Sequence, residues 1–369
     1  MTEAPSPARM TPDPIAGLEG VVAANTRLSH VDGEEGVLIL RGRLIEDLAG
    51  KMPFEAAVQH LWQDLGVSAA FSLQPDFARA RQQAFKVVPL LEGADATLTV
   101  YERMQLGLAA LPLGDELPAP VAIAGALPVF LAASHRIASG HRPIAPDAAL
   151  GTAADILKML TGAVPPQESA DALDRYLVTI LDHGLNASTF TARVIGSTQA
   201  DLKQAVLGAM GALSGPLHGG APGPVLDMID AIGAPENAAG WIESALARKE
   251  RLMGFGHRIY RTRDPRADVL KDGLRVLGEE NPKIRLAEDI ELAALAALKE
   301  AKPDRPLDTN VEFYTAVLLD AIGIDRTLFT PLFAVGRTSG WCAHVLEQQQ
   351  TGKLIRPSSH YVGPEPETV

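Results

Sequence analysis

The sequence predicts an all-α fold, mainly helical with a minor β element near the N-terminus, and three observations carry that prediction. Hydrophobic residues make up 47% of the 369-residue chain and aromatics only 5%, an Ala- and Leu-rich composition that favours helices over sheets. From Phe54 onward, apolar residues recur at the three- and four-residue spacing of a helix face. The one β signal is Gly36 to Arg43 (GVLILRGR), a short apolar run between Gly and polar residues that reads as a small strand or hairpin. A chain of this length exceeds what one typical core supports, so two domains, or one large and one small, are expected.

The elements follow in order. Residues 1–16 contain Pro and acidic side chains without the apolar core of a signal peptide, and they read as a disordered tail. Phe54, Val58, Leu61 and Trp62 line one face of a helix that Gly66 closes. Leu91 to Pro120 reads as helix, turn, helix, with the Pro and Gly clusters of Leu111 to Pro120 as a loop. Pro120 to Ser134 is the most apolar stretch; Pro128 is expected to break it short of the roughly 20 residues that span a bilayer. Leu150 to Thr161 and Ala170 to Asp182 give two further helices on either side of Pro165-Pro166. Beyond residue 200, Gly-rich and His-bearing segments interrupt the helical rhythm three times.

Composition narrows the function classes. A net charge of −12 argues against a nucleic-acid binder, so any anion site must be local. The single cysteine, Cys342, excludes an intrachain disulfide and a Cys-cluster zinc site. No membrane partner is expected, and the expected compartment is the cytoplasm.

The first interruption is GPLHGGAPGP, Gly215 to Pro224. His218 stands between Gly-Pro and Gly-Gly, ahead of the helical pattern Val225, Met228, Ile229. An imidazole near a helix N-terminus is kept neutral and can donate to a developing oxyanion. A Gly-rich helix-helix turn with an incidental His explains the same residues.

The second is GFGHRIYRTRDPRA, Gly254 to Ala267. Between Lys249 and Lys271, seven Lys or Arg (Lys249, Arg251, Arg258, Arg261, Arg263, Arg266, Lys271) face three acids (Glu250, Asp264, Asp268). This local reversal of sign suits a phosphate or carboxylate ligand. A solvated, salt-bridged helix face is the ordinary alternative. The glycines around Phe255 and before His257 favour a shaped loop.

The third is NVEFYTAVLLDAIGI, Asn310 to Ile324. Glu312 sits among Val311, Phe313, Ala316 and Leu319, so partial desolvation would raise its pKa and strengthen it as a base. A first-turn Glu complementing the helix dipole fits equally well by spacing alone. Arg337, in GRTSGWCAH, and Arg356, in KLIRPSSHYVG, would each pass singly as surface arginines.

Taken together and in order, these segments resemble the citrate synthase family. The likeness starts at Gly17 (GLEGVVAANTRLSHVDGEEGVLILRGR), includes LDHGLNASTFTARVIGS at Leu181 to Ser197, and runs from Gly215 almost to Gly363; Gly66 to Pro112 match least. The resemblance implies condensation of acetyl-CoA with oxaloacetate, followed by hydrolysis to citrate and CoA. It assigns His218 to the thioester carbonyl, His257 to the ketone of oxaloacetate and Glu312 to removal of the methyl proton. It further assigns His183, Arg266 and Arg337 to oxaloacetate, with Arg356 reaching in from the partner subunit of a homodimer. Arg261, with help from Arg258, would contact CoA. No metal or cofactor is implied, the CoA thioester being a substrate.

The family also implies a large helical domain from residues 17–218 and 317–369 and a small one from 219–316, with the active site in the cleft between them. Because the likeness begins almost at the first residue, the extra N-terminal domain that serves NADH regulation in some bacterial relatives is expected to be lacking. One departure stands out. The family base is usually an aspartate within N-V-D, whereas this chain reads Asn310-Val311-Glu312, and catalytic geometry is sensitive at about 1 Å. Two alternatives follow: a 2-methylcitrate synthase using propionyl-CoA, since one methylene is worth only about 1 to 3 kcal/mol in a pocket, or a weakly active ligand-binding paralogue.

Overall fold

A computed structural model describes residues 16–18, 20–67, 73–218, 222–257, 259–278, 281–303 and 307–364 of the chain. Most of the expected tail, residues 1–16, therefore lies outside the described residues; Ala16 opens a short 3-10 turn ending at Leu18. Helices dominate from Ile45 to Thr351. The β element is a three-stranded antiparallel sheet, β1 (Ser29–Asp32), β2 (Val37–Leu40) and β3 (Arg43–Leu44), in sequence order. Ser29 pairs with Leu40, and Ile39 with Leu44. Arg41 and Gly42 both take positive φ, 49° and 80°, as a two-residue hairpin turn demands. The apolar run at Gly36 to Arg43 thus forms β2 and its turn, while β1 (SHVD) carried too little apolar alternation to be read.

The Phe54–Leu61 helix buries the predicted face of Phe54, Val58 and Leu61, with Trp62 just past its end. The Leu91 to Pro120 region resolves into a short helix Val88–Glu92, a helix Val100–Ala110 and a loop. A Thr99–Glu102 capping box starts the second of these. Thr152–Thr161 and Gln167–Thr179 flank the Pro165-Pro166 break as expected.

The expected break at Pro128 does not occur. Ala119–Ala138 is one continuous 20-residue helix. It passes a length-and-composition test for membrane crossing, yet it lies mostly buried inside this fold. Proline removes one helical hydrogen bond, and dense burial compensates: the helix packs against Leu73–Phe85, Val100–Ala110, Thr152–Thr161 and Phe329–Thr351. The approach is close. A Cβ on Gly125 would fall 2.5 Å from the Cβ of Ala80, and one on Gly107 would fall 2.8 Å from the Phe130 ring.

A second long helix, Phe329–Thr351, carries Arg337 and packs against Ala187–Ser197 and Leu202–Leu213. Among the described residues, Pro222–Ile232 and Ala238–Ala247 lie between the His218 and His257 loops, and Pro265–Val276, Pro282–Ala301 and Val311–Ala321, which carries Glu312, follow the second loop. Val311–Ala321 packs on Pro222–Ile232 and on Pro265–Val276, and Pro265–Val276 also meets Gln167–Thr179. The site forms where these groups of helices meet.

Candidate active site

His218 follows the Leu202–Leu213 helix, and its Nε2 lies 2.8 Å from Ser188 Oγ and accepts the Ser188 main-chain N–H at 3.3 Å. Ser188 is in the first turn of the Ala187–Ser197 helix, whose N-cap is Asn186. A helix N-terminus does act on His218, that of the Ala187–Ser197 helix. Residues 219–221 of that loop lie outside the described residues. The Ser188 N–H is a fixed donor, so a neutral ring carries its hydrogen on Nδ1. Burial first, then the charge of Arg337, pushes the His218 pKa down to about 4.

His257 is held in the opposite sense. Its Nδ1 accepts the main-chain N–H groups of Ile259 and Tyr260 at 3.0 and 3.1 Å, which places the hydrogen of the neutral ring on Nε2, and Arg266 Nη2, itself only a donor, stands 3.4 Å from that nitrogen. Burial and then Arg266 lower its pKa to about 4. The loop gets its shape from an isolated bridge between Phe255 and Thr309. Gly256 N donates to Asp308 O at 2.7 Å, Asn310 N to Gly254 O at 3.0 Å, and Asn310 Nδ2 to Gly256 O at 2.8 Å. Both glycines take positive φ, and a Cβ on Gly254 would fall 2.8 Å from that of Phe313. The same contacts therefore seat His257 and the start of the Glu312 helix together.

Glu312 occupies the first turn of Val311–Ala321, with its N–H on the Asn310 cap at 3.0 Å. It is half-buried. Burial raises its pKa, opposed by Arg266 and Arg251. The dipole-complementing position and the desolvated base thus coincide in one residue.

Three cationic or imidazole side chains gather beside His257. Arg266 is buried, with Nε and Nη2 on Asp264 at 3.0 and 2.8 Å; Asp264 caps the Pro265–Val276 helix. Arg337 is 1% exposed and donates from Nε to Ile180 O at 2.6 Å, with its guanidinium 4.7 Å from the Phe333 ring. No carboxylate among the described residues pairs with Arg337, and burial lowers its pKa to about 10. A buried, protonated and unpaired guanidinium is a ready anion site. His183 is buried against both arginines, its ring 5.8 Å from that of His257, and its pKa falls well below the ordinary value for the same reasons, burial foremost.

Sequence reasoning passed over the supports of this cluster. Ser29 donates to Asp182 Oδ2 and accepts the Gly184 N–H at 3.0 Å, bracketing His183. Asp182 also bonds His344, which accepts from Arg193 at 2.9 Å, and Arg193 pairs with Glu347. These partners lie up to 162 residues apart, so no local motif signals them.

The remaining expected residues fare differently. Arg261 is exposed on the rim of a cavity of about 590 Å³ whose floor includes Phe255 and His257 and whose rim adds Lys249, Arg251 and Lys302. Arg258 lies outside the described residues. Arg356 is exposed on the extended stretch after Thr351 and makes no bond to the cluster among the described residues. No group of three His, Cys, Asp or Glu is placed to hold a metal ion among the described residues.

A family model described as "Citrate synthase, C-terminal domain" matches residues 17–358. "Putative citrate synthase 2" of Mycobacterium tuberculosis is 39% identical over 356 residues, covering 95% of this chain and 94% of the relative. "2-methylcitrate synthase" of the same organism is 37% identical over 365 residues, covering 96% and 92%. A solved ternary complex of carboxymethyl coenzyme A and oxaloacetate with citrate synthase from Thermoplasma acidophilum superposes with a TM-score of 0.84 at 26% identity, covering 96% and 97%.

Proposed function

Because the chain belongs to the citrate synthase family and condenses an acyl-CoA with oxaloacetate, we propose that Glu312, His218 and His257 are its catalytic groups. Glu312 removes a proton from the methyl carbon of acetyl-CoA. His218, hydrogen on Nδ1, donates to the thioester oxygen as the enol forms. The enol carbon attacks the ketone of oxaloacetate while His257 donates from Nε2 to its oxygen. Water then cleaves the thioester of the adduct, releasing citrate and CoA. The scheme uses no metal or cofactor.

Arg266, Arg337 and His183 hold the oxaloacetate carboxylates, with Arg356 of a second copy completing the set in a homodimer. The basic rim of Arg261, Lys249, Arg251 and Lys302 suits the phosphates of CoA, with Arg258 beside it in sequence. Residues 219–316 act as a small domain that closes on a large domain of 17–218 and 317–369, and closure excludes water from the enol. The site of action is the cytoplasm.

One observation carries this reading: opposite ring nitrogens of two neutral imidazoles accept main-chain N–H groups, and a carboxylate whose pKa burial raises shares the Asn310 contacts that seat one of them. The scheme needs two donors and one base: both imidazoles are neutral with one nitrogen held as an acceptor, and burial makes the Glu312 carboxylate a stronger base when ionised. Thiol release from acetyl-CoA with oxaloacetate tests it. The relative called 2-methylcitrate synthase supports propionyl-CoA as a second substrate, and the ratio of the two efficiencies names the preferred one. A paralogue without turnover, the reading that Glu312 invites, would bind oxaloacetate or CoA and release no thiol from either.

A further inference from the structure

Tyr260 has no place in the residue sets above, yet it touches most of the oxaloacetate pocket. It is 3% exposed. Its hydroxyl lies 3.1 Å from His183 Nε2. Its main-chain N–H donates to His257 Nδ1 at 3.1 Å. Its ring centroid is 4.8 Å from that of His257 and 5.6 Å from that of His183, and the Arg266 guanidinium lies 5.9 Å above it. Five contacts from one residue thus reach three of the pocket's side chains.

We propose that Tyr260 is a positioning residue for oxaloacetate, orienting the His183 ring through its hydroxyl and fixing the donor nitrogen of His257 through its N–H. This rests on the assignment of His183, His257 and Arg266 to oxaloacetate. A buried phenol needs a hydrogen-bond partner. This one is spent on a ligand-facing imidazole where a main-chain carbonyl would serve stability equally well. A neutral imidazole has one donor and one acceptor, so the Tyr260 bond decides what His183 can offer the ligand.

The β1–β2 hairpin fixes both ends of that bond. Gly33 O accepts the Arg261 N–H at 2.7 Å, next to Tyr260, and a Cβ on Gly33 would fall 2.3 Å from Ile259 O. Ser29, on the same hairpin, brackets His183 through Asp182 and Gly184. The hairpin therefore sets the distance from the His183 loop to the His257 loop, and Tyr260 spans it.

The test is steady-state kinetics of Tyr260→Phe, which deletes the hydroxyl and keeps the ring and the N–H. The expected result is a KM for oxaloacetate raised about tenfold, with the KM for acyl-CoA and the thermal midpoint unchanged. A double-mutant cycle with His183→Gln should be non-additive, since the second change removes the partner of the first. An unchanged oxaloacetate KM overturns the proposal. So does a common rise in both KM values with a lowered midpoint, or a Phe variant that does not fold, because the hydroxyl would then serve the fold. Wild-type protein without oxaloacetate-dependent thiol release would instead sink the functional assignment itself; active wild type with an indifferent Phe variant sinks only the role of Tyr260.

Discussion

The main-chain N–H of Val311 donates to Asp264 Oδ2 at 3.1 Å, and this bond ties the helix that carries Glu312 to the residue that holds Arg266. The proposed base and an arginine proposed to hold oxaloacetate therefore share one support. Among the described residues the Asp264 carboxylate accepts four bonds: the Val311 N–H, and three from the Arg266 main chain and guanidinium. It is 1% exposed.

Removing that support should cost both stability and substrate binding. Asp264→Ala leaves the buried Arg266 charge without a partner, and breaking such a pair costs about 3–5 kcal/mol. Urea unfolding should show that loss, together with a raised oxaloacetate KM. A variant as stable as wild type would mean that the pair contributes little.

Arg337 should behave in the opposite way. It is buried with no salt bridge among the described residues, burial outweighing the favourable charge of Asp182, so Arg337→Met relieves a desolvated charge and is expected to hold or raise the thermal midpoint. Oxaloacetate affinity should fall by about 2–5 kcal/mol by calorimetry, as for loss of a buried charged contact. A large loss of stability with affinity intact would reverse the assignment.

Glu312→Gln should lower condensation by roughly 10²–10⁴, the span that general-base catalysis supplies. The base acts on the acyl-CoA, so oxaloacetate binding should persist. Calorimetric titration with oxaloacetate checks that, and lost affinity would contradict the role given to Glu312.

The pH dependence has a fixed sign. His218 and His257 bind protons only near pH 4 in the folded chain but near 6.5 when unfolded. Between those values the unfolded state holds more protons, so stability falls as pH drops through that window and levels off below it. Activity should also fall as pH drops, because Glu312, whose pKa burial raises, must be ionised to act as a base. Unfolding free energies at several pH values between 4 and 6.5 that do not change would show the two histidines to be more hydrated than the structure places them.

Much of this candidate site was legible in the sequence because the residues proposed as catalytic sit in short segments whose glycines and charges stand out. His218, His257 and Glu312 each interrupt a helical rhythm. Asp264 was read only as an acid within a basic run, since its four bonds depend on how two distant helices meet. Ser29 and Ser188 were invisible for a related reason: each acts on a side chain contributed from elsewhere in the chain. The continuous helix through Pro128 was misread because local propensity was weighed without the surrounding helices that stabilise it.

The most direct test of the whole account is thiol release by the purified wild-type protein from acetyl-CoA and from propionyl-CoA, each with and without oxaloacetate. Release from at least one that depends on oxaloacetate is the predicted result. No release from either thioester, with oxaloacetate still bound, would contradict it and identify Glu312 as a carboxylate that does not act as a base.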